Sequence, residues 1–290
     1  MHPRTFLLAT LSLVTVSACA ADRTFDRTLT VPSSPNVSVN TGSGNIHLHP
    51  GSDTQIHIAA RIHGNNNHGW FDGSSSNVDS RMTQIANNPP IQQSGNSVTI
   101  GERNHGSEGM YRYISIDYDI TLPRTSAITA GSGSGDVQIE DVGSSLKVST
   151  GSGNVKAHGI QGTASLDTGS GDIELQETAG GDVRAQTGSG NIHLDGIADG
   201  LRATTGSGDI TIGGKPGTDW KLETGSGNIR MNLGSSARFN LNASTGSGTV
   251  NVAQPITMQG SLDKHHISGS INGGGPTLRA ETGSGDIEIR

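Results

Sequence analysis

The sequence predicts an all-β fold: a single-stranded β-solenoid, wound as a right-handed β-helix of 18–19 residues per coil, with one small inserted helix. Three observations support this fold class. A Thr-Gly-Ser-Gly motif recurs at nearly constant spacing, two short runs of alternating apolar residues follow within each unit, and the composition is rich in Gly (43 residues) and poor in aromatics (3%). A repeat fold buries a thin core by stacking, so it tolerates such a composition.

The repeat gives the length of a coil. From residue 132 onward the motif steps by 18, 18, 19, 18, 19, 21 and 37 residues, and the last step corresponds to two coils with a degenerate copy over 268–271. The copies start at Thr41, Ser132, Thr150, Thr168, Thr187, Thr205, Thr224, Thr245 and Thr282. Constant spacing of this kind is typical of a stacked array.

The apolar residues alternate in two runs per unit, for example Val137/Ile139 and then Leu146/Val148. Period-two alternation indicates strands with one buried face, so each coil should contain two strands joined by Gly-rich corners. A left-handed helix of three equal hexapeptides would also have 18 residues per coil. The two-run pattern favours the right-handed form.

The residue after each Gly-Ser-Gly alternates between an acid and its amide. The column contains Asp136, Asn154, Asp172, Asn191, Asp209 and Asn228. We interpret it as a structural ladder in which Asn separates like charges, since carboxylates on adjacent strands repel. Calcium is the alternative, because Gly-rich repeats with Asp form calcium-binding rolls. Adjacent Gly and Asp, with a neutral Asn in every other coil, disfavour it, and no cofactor is expected.

The N-terminus predicts export. Arg4 and a twelve-residue apolar run (6–17) form a signal peptide over 1–19, which is too short to span a bilayer of ~30 Å. Small residues precede Cys19, the only cysteine, which indicates a lipoprotein signal, with ordinary cleavage as the alternative. From residue 20 onward, 26 acidic residues outnumber 18 basic ones, which disfavours nucleic acid as a partner.

The remaining chain divides into three parts. Residues 20–35 are expected to be a linker, residues 36–125 an N-terminal β region, and residues 126–290 the repeat solenoid. Within the β region, residues 64–110 form an insertion containing polar loops and a helix. A capping box at 76–79 precedes Val78, Met82 and Ile85 at helical spacing, and two prolines end that helix. Alternation over 113–122 predicts a long strand that caps or flanks the stack.

No catalytic motif emerges from the sequence. The Ser of each repeat recurs in every coil, so it is interpreted as a corner residue and not a nucleophile. His47 and His49 share a strand face, but two ligands do not make a metal site, and surface histidines are favoured. A row of cations could contact an anionic glycan, although a solvated face balanced by nearby acids is the simpler interpretation. This stripe contains Lys147, Arg184, Arg202 and Lys221, and further on Arg279.

The run ITLPRTSAITAGSGSGDVQIEDVGSSLKVSTGSGNVKAHGI resembles the bacterial putative-adhesin domain family, through Leu122-Pro123 and the coils that follow. The resemblance covers about residues 36–290 and implies a β-solenoid exposed on the cell envelope, with no catalytic residues to transfer. The leading hypothesis is an exported, outer-membrane or periplasm-facing lipoprotein. It would be held in the membrane by a lipid anchor and serve as an adhesin or scaffold that contacts surface glycans or envelope proteins. A glycan-binding or glycan-cleaving β-helix and an envelope-stress accessory protein are the alternatives.

Overall fold

The computed structural model describes residues 22–64, 75–101, 109–258 and 263–290. The predicted signal, Cys19, and most of the two polar loops expected between 64 and 110 lie outside the described residues.

The described residues form two long sheets and one helix, α1 (Ser75–Asn87). Sheet 1 contains β1 (Arg23–Thr30), β3 (Ile46–Pro50), β4 (Gln55–Gly64), β7 (Ile114–Leu122), β9 (Val137–Glu140), β11 (Val155–Gln161), β13 (Ile173–Ala179), β15 (Ile192–Ile197), β17 (Ile210–Gly214), β19 (Ile229–Asn232), β21 (Val250–Val252) and β25 (Ile287–Ile289). Sheet 2 contains β2 (Asn36–Thr41), β5 (Ile91–Ser94), β6 (Ser97–Ile100), β8 (Ala127–Ser132), β10 (Ser145–Thr150), β12 (Thr163–Thr168), β14 (Val183–Thr187), β16 (Leu201–Ser207), β18 (Trp220–Ser226), β20 (Phe239–Ser247), β22 (Ile256–Thr257), β23 (His266–Ile271) and β24 (Thr277–Ser284).

Each coil contributes one strand to sheet 2 and then one to sheet 1, so the predicted β-solenoid with two strands per coil is confirmed. Neighbouring coils pair in parallel and in register, as Leu146 does with Ala164 on β10 and β12. The inward positions of each strand are buried, and Val148, Leu166 and Ile139 are fully buried between the sheets. Stacking therefore gives the thin core that one coil alone could not form.

The Thr-Gly-Ser-Gly motif forms the corner between the two sheets. The Thr168 hydroxyl accepts a hydrogen bond from the Gly171 amide of its own corner and donates one to the Gly153 carbonyl of the preceding coil. At the last Gly of the motif, a Cβ on Gly153 would lie 2.0 Å from the Gly135 carbonyl oxygen, so only Gly fits the stacked corner.

The order of the coils differs from the order of the sequence at the C-terminal end. The last coil, β24–β25, lies between the coil β18–β19 and the coil β20–β21. The sequence had predicted that the degenerate copy over 268–271 forms a stacked coil. This prediction is wrong, because its strand β23 pairs antiparallel with β20. The chain thus closes the end of the stack before its final strands return to the interior.

The N-terminal end has the same arrangement. The coil β6–β7 is outermost, and the coil β2–β3, which comes first in the sequence, lies between it and β8–β9. Strand β6 therefore belongs to the stack, although the sequence placed it within an insertion. The predicted linker over 20–35 is wrong for residues 23–30, which form β1 and pair antiparallel with β4.

Antiparallel strands and the helix cover this end. Strand β4 pairs with β7, and β5 pairs with β6, so both outermost strands have antiparallel neighbours. Helix α1 packs against β1 and β4, with Val78, Met82 and Ile85 buried, as its spacing predicts. An ion pair of 2.7 Å between Arg23 and Asp79 links β1 to the helix. Covered edges of this kind protect a solenoid from end-to-end pairing.

Candidate functional site

The alternating acids and amides form one continuous hydrogen-bonded column along a corner of the solenoid. Each side-chain oxygen accepts a hydrogen bond of 2.7–2.9 Å from the backbone amide of the corresponding residue in the next coil. In spatial order the column contains Asp117, Asn45, Asp136, Asn154, Asp172, Asn191, Asp209, Asn228, Asp286 and Thr249.

The spatial order makes the alternation more complete than the sequence suggested. In the sequence, Thr249 follows Asn228 and interrupts the pattern, but in the structure Asp286 follows Asn228 and Thr249 ends the column. At the other end, Asn45 and Asp117 extend the column, a continuation that the sequence did not reveal.

The column holds the Asp209 carboxylate as an ionised acceptor. At Asp209, burial raises the pKa of the carboxyl, but hydrogen bonds from the Asn228 backbone and from Arg230 outweigh it, so the pKa lies below its ordinary value. Asn228 and Asn154 also donate their side-chain amides to the Asp of the preceding coil, at 3.2 and 3.3 Å. These oxygens are engaged in the stack, which gives the column a structural role.

The basic stripe lies on the outer face of sheet 2. Arg184, Arg202, Lys221 and Arg279 occupy four successive in-register positions, because the inserted β24 places Arg279 directly beside Lys221. Lys147 lies two strands before Arg184, with Ser165 between them.

Acids of the same face partly neutralise this stripe. Lys221 and Arg202 lie 2.7 and 3.5 Å from Glu223, and Arg279 pairs with Glu281. Lys147 and Arg184 have no acidic partner among the described residues, and Arg184 hydrogen-bonds Gln186 instead. A shallow groove lined by Asp182, Arg202 and Asp219 adjoins the stripe. The cation row is therefore continuous and only part of its charge is compensated.

Among the described residues, Glu177 is the acidic residue that is buried inside the solenoid. It is 4% exposed, and neither carboxylate oxygen has a hydrogen-bond partner. Burial, and then the nearby charges of Asp199 and Asp182, raise the pKa of Glu177 to about 8. A raised pKa suits a general acid, but these oxygens are sealed from solvent and cannot reach a substrate.

Two histidines and an aspartate converge on the outer face of sheet 1. His49 Nε2 lies 2.7 Å from Asp119 Oδ1, and His47 Nδ1 lies 3.6 Å from Asp119 Oδ2. The sequence identified the histidine pair but not the carboxylate, which comes from β7, 70 residues beyond His49. Among the described residues, these three side chains are the one group of three or more His, Cys, Asp and Glu residues whose ligand atoms lie close enough to hold a metal ion.

Fold and surfaces together define a β-solenoid whose repeated polar residues stabilise the stack. Among the described residues, no helix has the length and apolar character needed to cross a membrane.

The chain belongs to the Toastrack DUF4097 family, whose sequence profile matches residues 36–290. A search of curated proteins finds no match. Solved structures similar to it include a putative adhesin from Bacteroides fragilis, with 15% identity, a TM-score of 0.44 and coverage of 92% of this chain and 97% of that one. A putative cell adhesion protein from Clostridium sporogenes has 12% identity and a TM-score of 0.25, with coverage of 92% and 99%. Similarity at this level carries no functional argument for this chain.

Proposed function

We propose that this protein is a non-enzymatic, exported component of the cell envelope that uses its stacked outer faces for adhesion or scaffolding. The proposal rests on the hydrogen bonds that the repeated polar residues make within the stack. The Thr hydroxyls bridge successive coils, and the Asp and Asn oxygens accept backbone amides. The polar groups that look catalytic in one copy of the motif are therefore hydrogen-bonded between coils. The outer faces of the two sheets are the surfaces left for binding.

The N-terminal sequence supports the envelope location. Cys19 follows an apolar run and small residues, as in a lipoprotein signal, so we propose that its acylation anchors the chain in the outer membrane. A single acyl chain binds membranes only marginally, whereas two or more give stable anchoring. The solenoid would then stand at the membrane surface and present its two sheets to partners.

An anionic glycan is the second candidate partner, because the basic stripe presents cations on four successive coils. Arg184, Arg202, Lys221 and Arg279 are spaced at the ~4.8 Å repeat of a sheet, which suits a linear polyanion. Binding would compete with Glu223 and Glu281, so the affinity per site should be modest and should fall with salt.

Glycan cleavage has less support from the geometry. Glycosidases place two carboxylates on either side of the scissile bond, about 5–10 Å apart. The acid with a raised pKa, Glu177, is sealed inside the solenoid, and the partly exposed Glu174 lies 3.7 Å from Lys156 and 3.9 Å from His158. Turnover of envelope polysaccharides by pure protein would overturn this ranking.

Fractionation of cells that express the native chain and a Cys19→Ser variant tests the location. The native chain should be found with the outer membrane and incorporate labelled fatty acid, and the variant should be released from the membrane. Mature protein in the soluble cytoplasm would refute the proposal.

Charge reversal tests the stripe. A triple variant with Arg184, Arg202 and Lys221 changed to Glu should lose binding to anionic polysaccharide and to whole cells. The matched control changes Arg61, Lys156 and Lys215, which are exposed on the sheet 1 side of the molecule, to Glu. Equal binding by both triple variants would exclude the stripe as a contact surface.

A further inference from the structure

We infer that His47, His49 and Asp119 form a binding site for a first-row divalent transition metal, such as Zn²⁺, on the outer face of sheet 1. The inference goes beyond the proposed function, since it concerns a site on the opposite sheet from the basic stripe. It rests on three ligand atoms that come within 4.8 Å of one another.

The sheet register creates this convergence. His47 and His49 alternate outward on β3, and β7 pairs with β3 so that Asp119 is directly opposite His47. Outward residues two apart on one strand, and the residue opposite one of them, occupy neighbouring positions on the same face. The two imidazole rings lie 4.9 Å apart with an angle of 30° between their planes, so both reach the Asp119 carboxylate.

A tetrahedral ion would require the three ligand atoms, one from each residue and now within 4.8 Å of one another, to draw closer together. Bonds of ~2.0–2.1 Å at tetrahedral angles put ligand atoms about 3.4 Å apart. His47 Nδ1 is 3.6 Å from Asp119 Oδ2. His49 Nε2 lies 2.7 Å from the other oxygen, Asp119 Oδ1, and would give up this hydrogen-bond contact to share an ion with His47 Nδ1 and Asp119 Oδ2.

The environment of His47 adds a second, independent feature. Its Nε2 atom is buried and has no hydrogen-bond partner, and it faces Glu140 Oε1 at 3.7 Å. Metal-bound histidines usually direct their other ring nitrogen to a carboxylate or carbonyl, which fixes the tautomer and orientation. Coordination through Nδ1 would place the proton on Nε2, and a small shift would let it donate to Glu140.

The donor set identifies the class of metal. Two imidazole nitrogens and one carboxylate suit zinc, copper or nickel, whereas calcium and magnesium prefer six or more oxygens. The ligands are partly exposed, with 37%, 30% and 60% of the side-chain surface of His47, His49 and Asp119 accessible. Three protein ligands at an open surface leave a coordination position for water or for a donor atom from a bound partner.

Titration with ZnCl₂ of the full chain, purified without a histidine tag, tests the site in competition with a colorimetric chelator. The expected result is one tightly bound Zn²⁺ per chain. Asp119→Asn and His49→Gln should each weaken binding by about a hundredfold or more, and Glu140→Gln by about tenfold. The matched control is His193→Gln, an exposed histidine on β15 of the same sheet, which should bind Zn²⁺ like the native chain.

Three results would overturn the inference: no saturable Zn²⁺ binding, native affinity in both His49→Gln and Asp119→Asn, or an equal loss in His193→Gln. Circular dichroism and urea midpoints establish that each variant is folded. His49→Gln keeps the test decisive if Asp119→Asn does not fold. The readout is metal binding by pure protein, so it is independent of localisation and adhesion.

Discussion

The Asp/Asn column predicts the consequence of placing like charges on adjacent coils. Asn154 lies between Asp136 and Asp172, whose carboxylates are two coils, or ~9.6 Å, apart. Asn154→Asp would put three carboxylates in a row at ~4.8 Å. Each of the two new contacts is repulsive by about 0.9 kcal/mol in water, and screening at physiological salt roughly halves this.

The substitution also removes a side-chain donor. The Asn154 amide donates to Asp136 at 3.3 Å, and a carboxylate cannot replace it. The two effects together should destabilise the folded chain by about 1–2 kcal/mol. The new carboxylate can still accept the Asp172 amide, so the geometry of the column is preserved.

Urea unfolding, monitored by circular dichroism, measures this change without altering ionic strength. The deficit of Asn154→Asp should shrink in 1 M NaCl, where the carboxylates are screened from one another. Asn154→Ala separates the causes, because it loses the hydrogen bonds but adds no charge, and its deficit should be independent of salt. Native stability in Asn154→Asp, or a deficit unaffected by salt, would contradict the role of Asn154 in separating the carboxylates.

Three further predictions concern the corner glycines, the buried acid and calcium. Gly151→Ala should lower the free energy of unfolding by ~1–3 kcal/mol, because its Cβ would lie 2.3 Å from the Gly133 carbonyl oxygen. Gly42 has the same motif position but nothing within 4 Å of a Cβ, so Gly42→Ala should change the free energy of unfolding by less than about 0.5 kcal/mol. Equal effects of the two substitutions would contradict the stacked corner. Glu177 holds a proton up to about pH 8 in the folded state but only up to about pH 4.5 in the unfolded state. The free energy of unfolding should therefore fall by up to about 5 kcal/mol as pH rises through that window, and Glu177→Gln should remove most of this loss. Parallel pH profiles of the two proteins would contradict the raised pKa. Since the Oδ1 atoms of the column accept backbone amides, 5 mM CaCl₂ should leave the melting temperature unchanged, and a rise reversed by chelator would restore the calcium interpretation.

The elements that follow from local pattern were predictable from the sequence. Helix α1 has three apolar residues at helical spacing, and β7 has five alternating apolar residues, all of which are buried. The two strands per coil follow in the same way, because alternation and Gly-rich corners are properties of neighbouring residues.

The order of the coils was not predictable, because every coil presents nearly the same edge to its neighbours. The spacing of the motif shows that Thr224, Thr245 and Thr282 occupy equivalent positions, but it does not show which of their strands pair. The structure pairs β18 with β24, so Arg279 joins the basic stripe beside Lys221 and Asp286 continues the polar column.

Contacts between distant segments were also hidden. Asp119 meets His49 only because β7 forms the outermost coil beside β3. Strand β1 contains polar residues at many positions, and its pairing with β4 supplies the order that its sequence pattern does not. The sequence did not reveal the candidate metal site or the strand in the expected linker for the same reason, because both depend on strand pairing across tens of residues.

The continuous outer faces on which the proposed function depends require the inserted C-terminal coil, and a pair of engineered cysteines tests it directly. In a Cys19→Ser background, Lys221→Cys with Arg279→Cys should form a disulfide under mild oxidation, because these residues are in-register neighbours on β18 and β24, about 4.8 Å apart. Lys221→Cys with Asn242→Cys should not, since β24 lies between them and the separation of about 9.6 Å exceeds the reach of a disulfide. The reverse result, with the second pair cross-linked and the first free, would show that the coils stack in sequence order and would contradict this account.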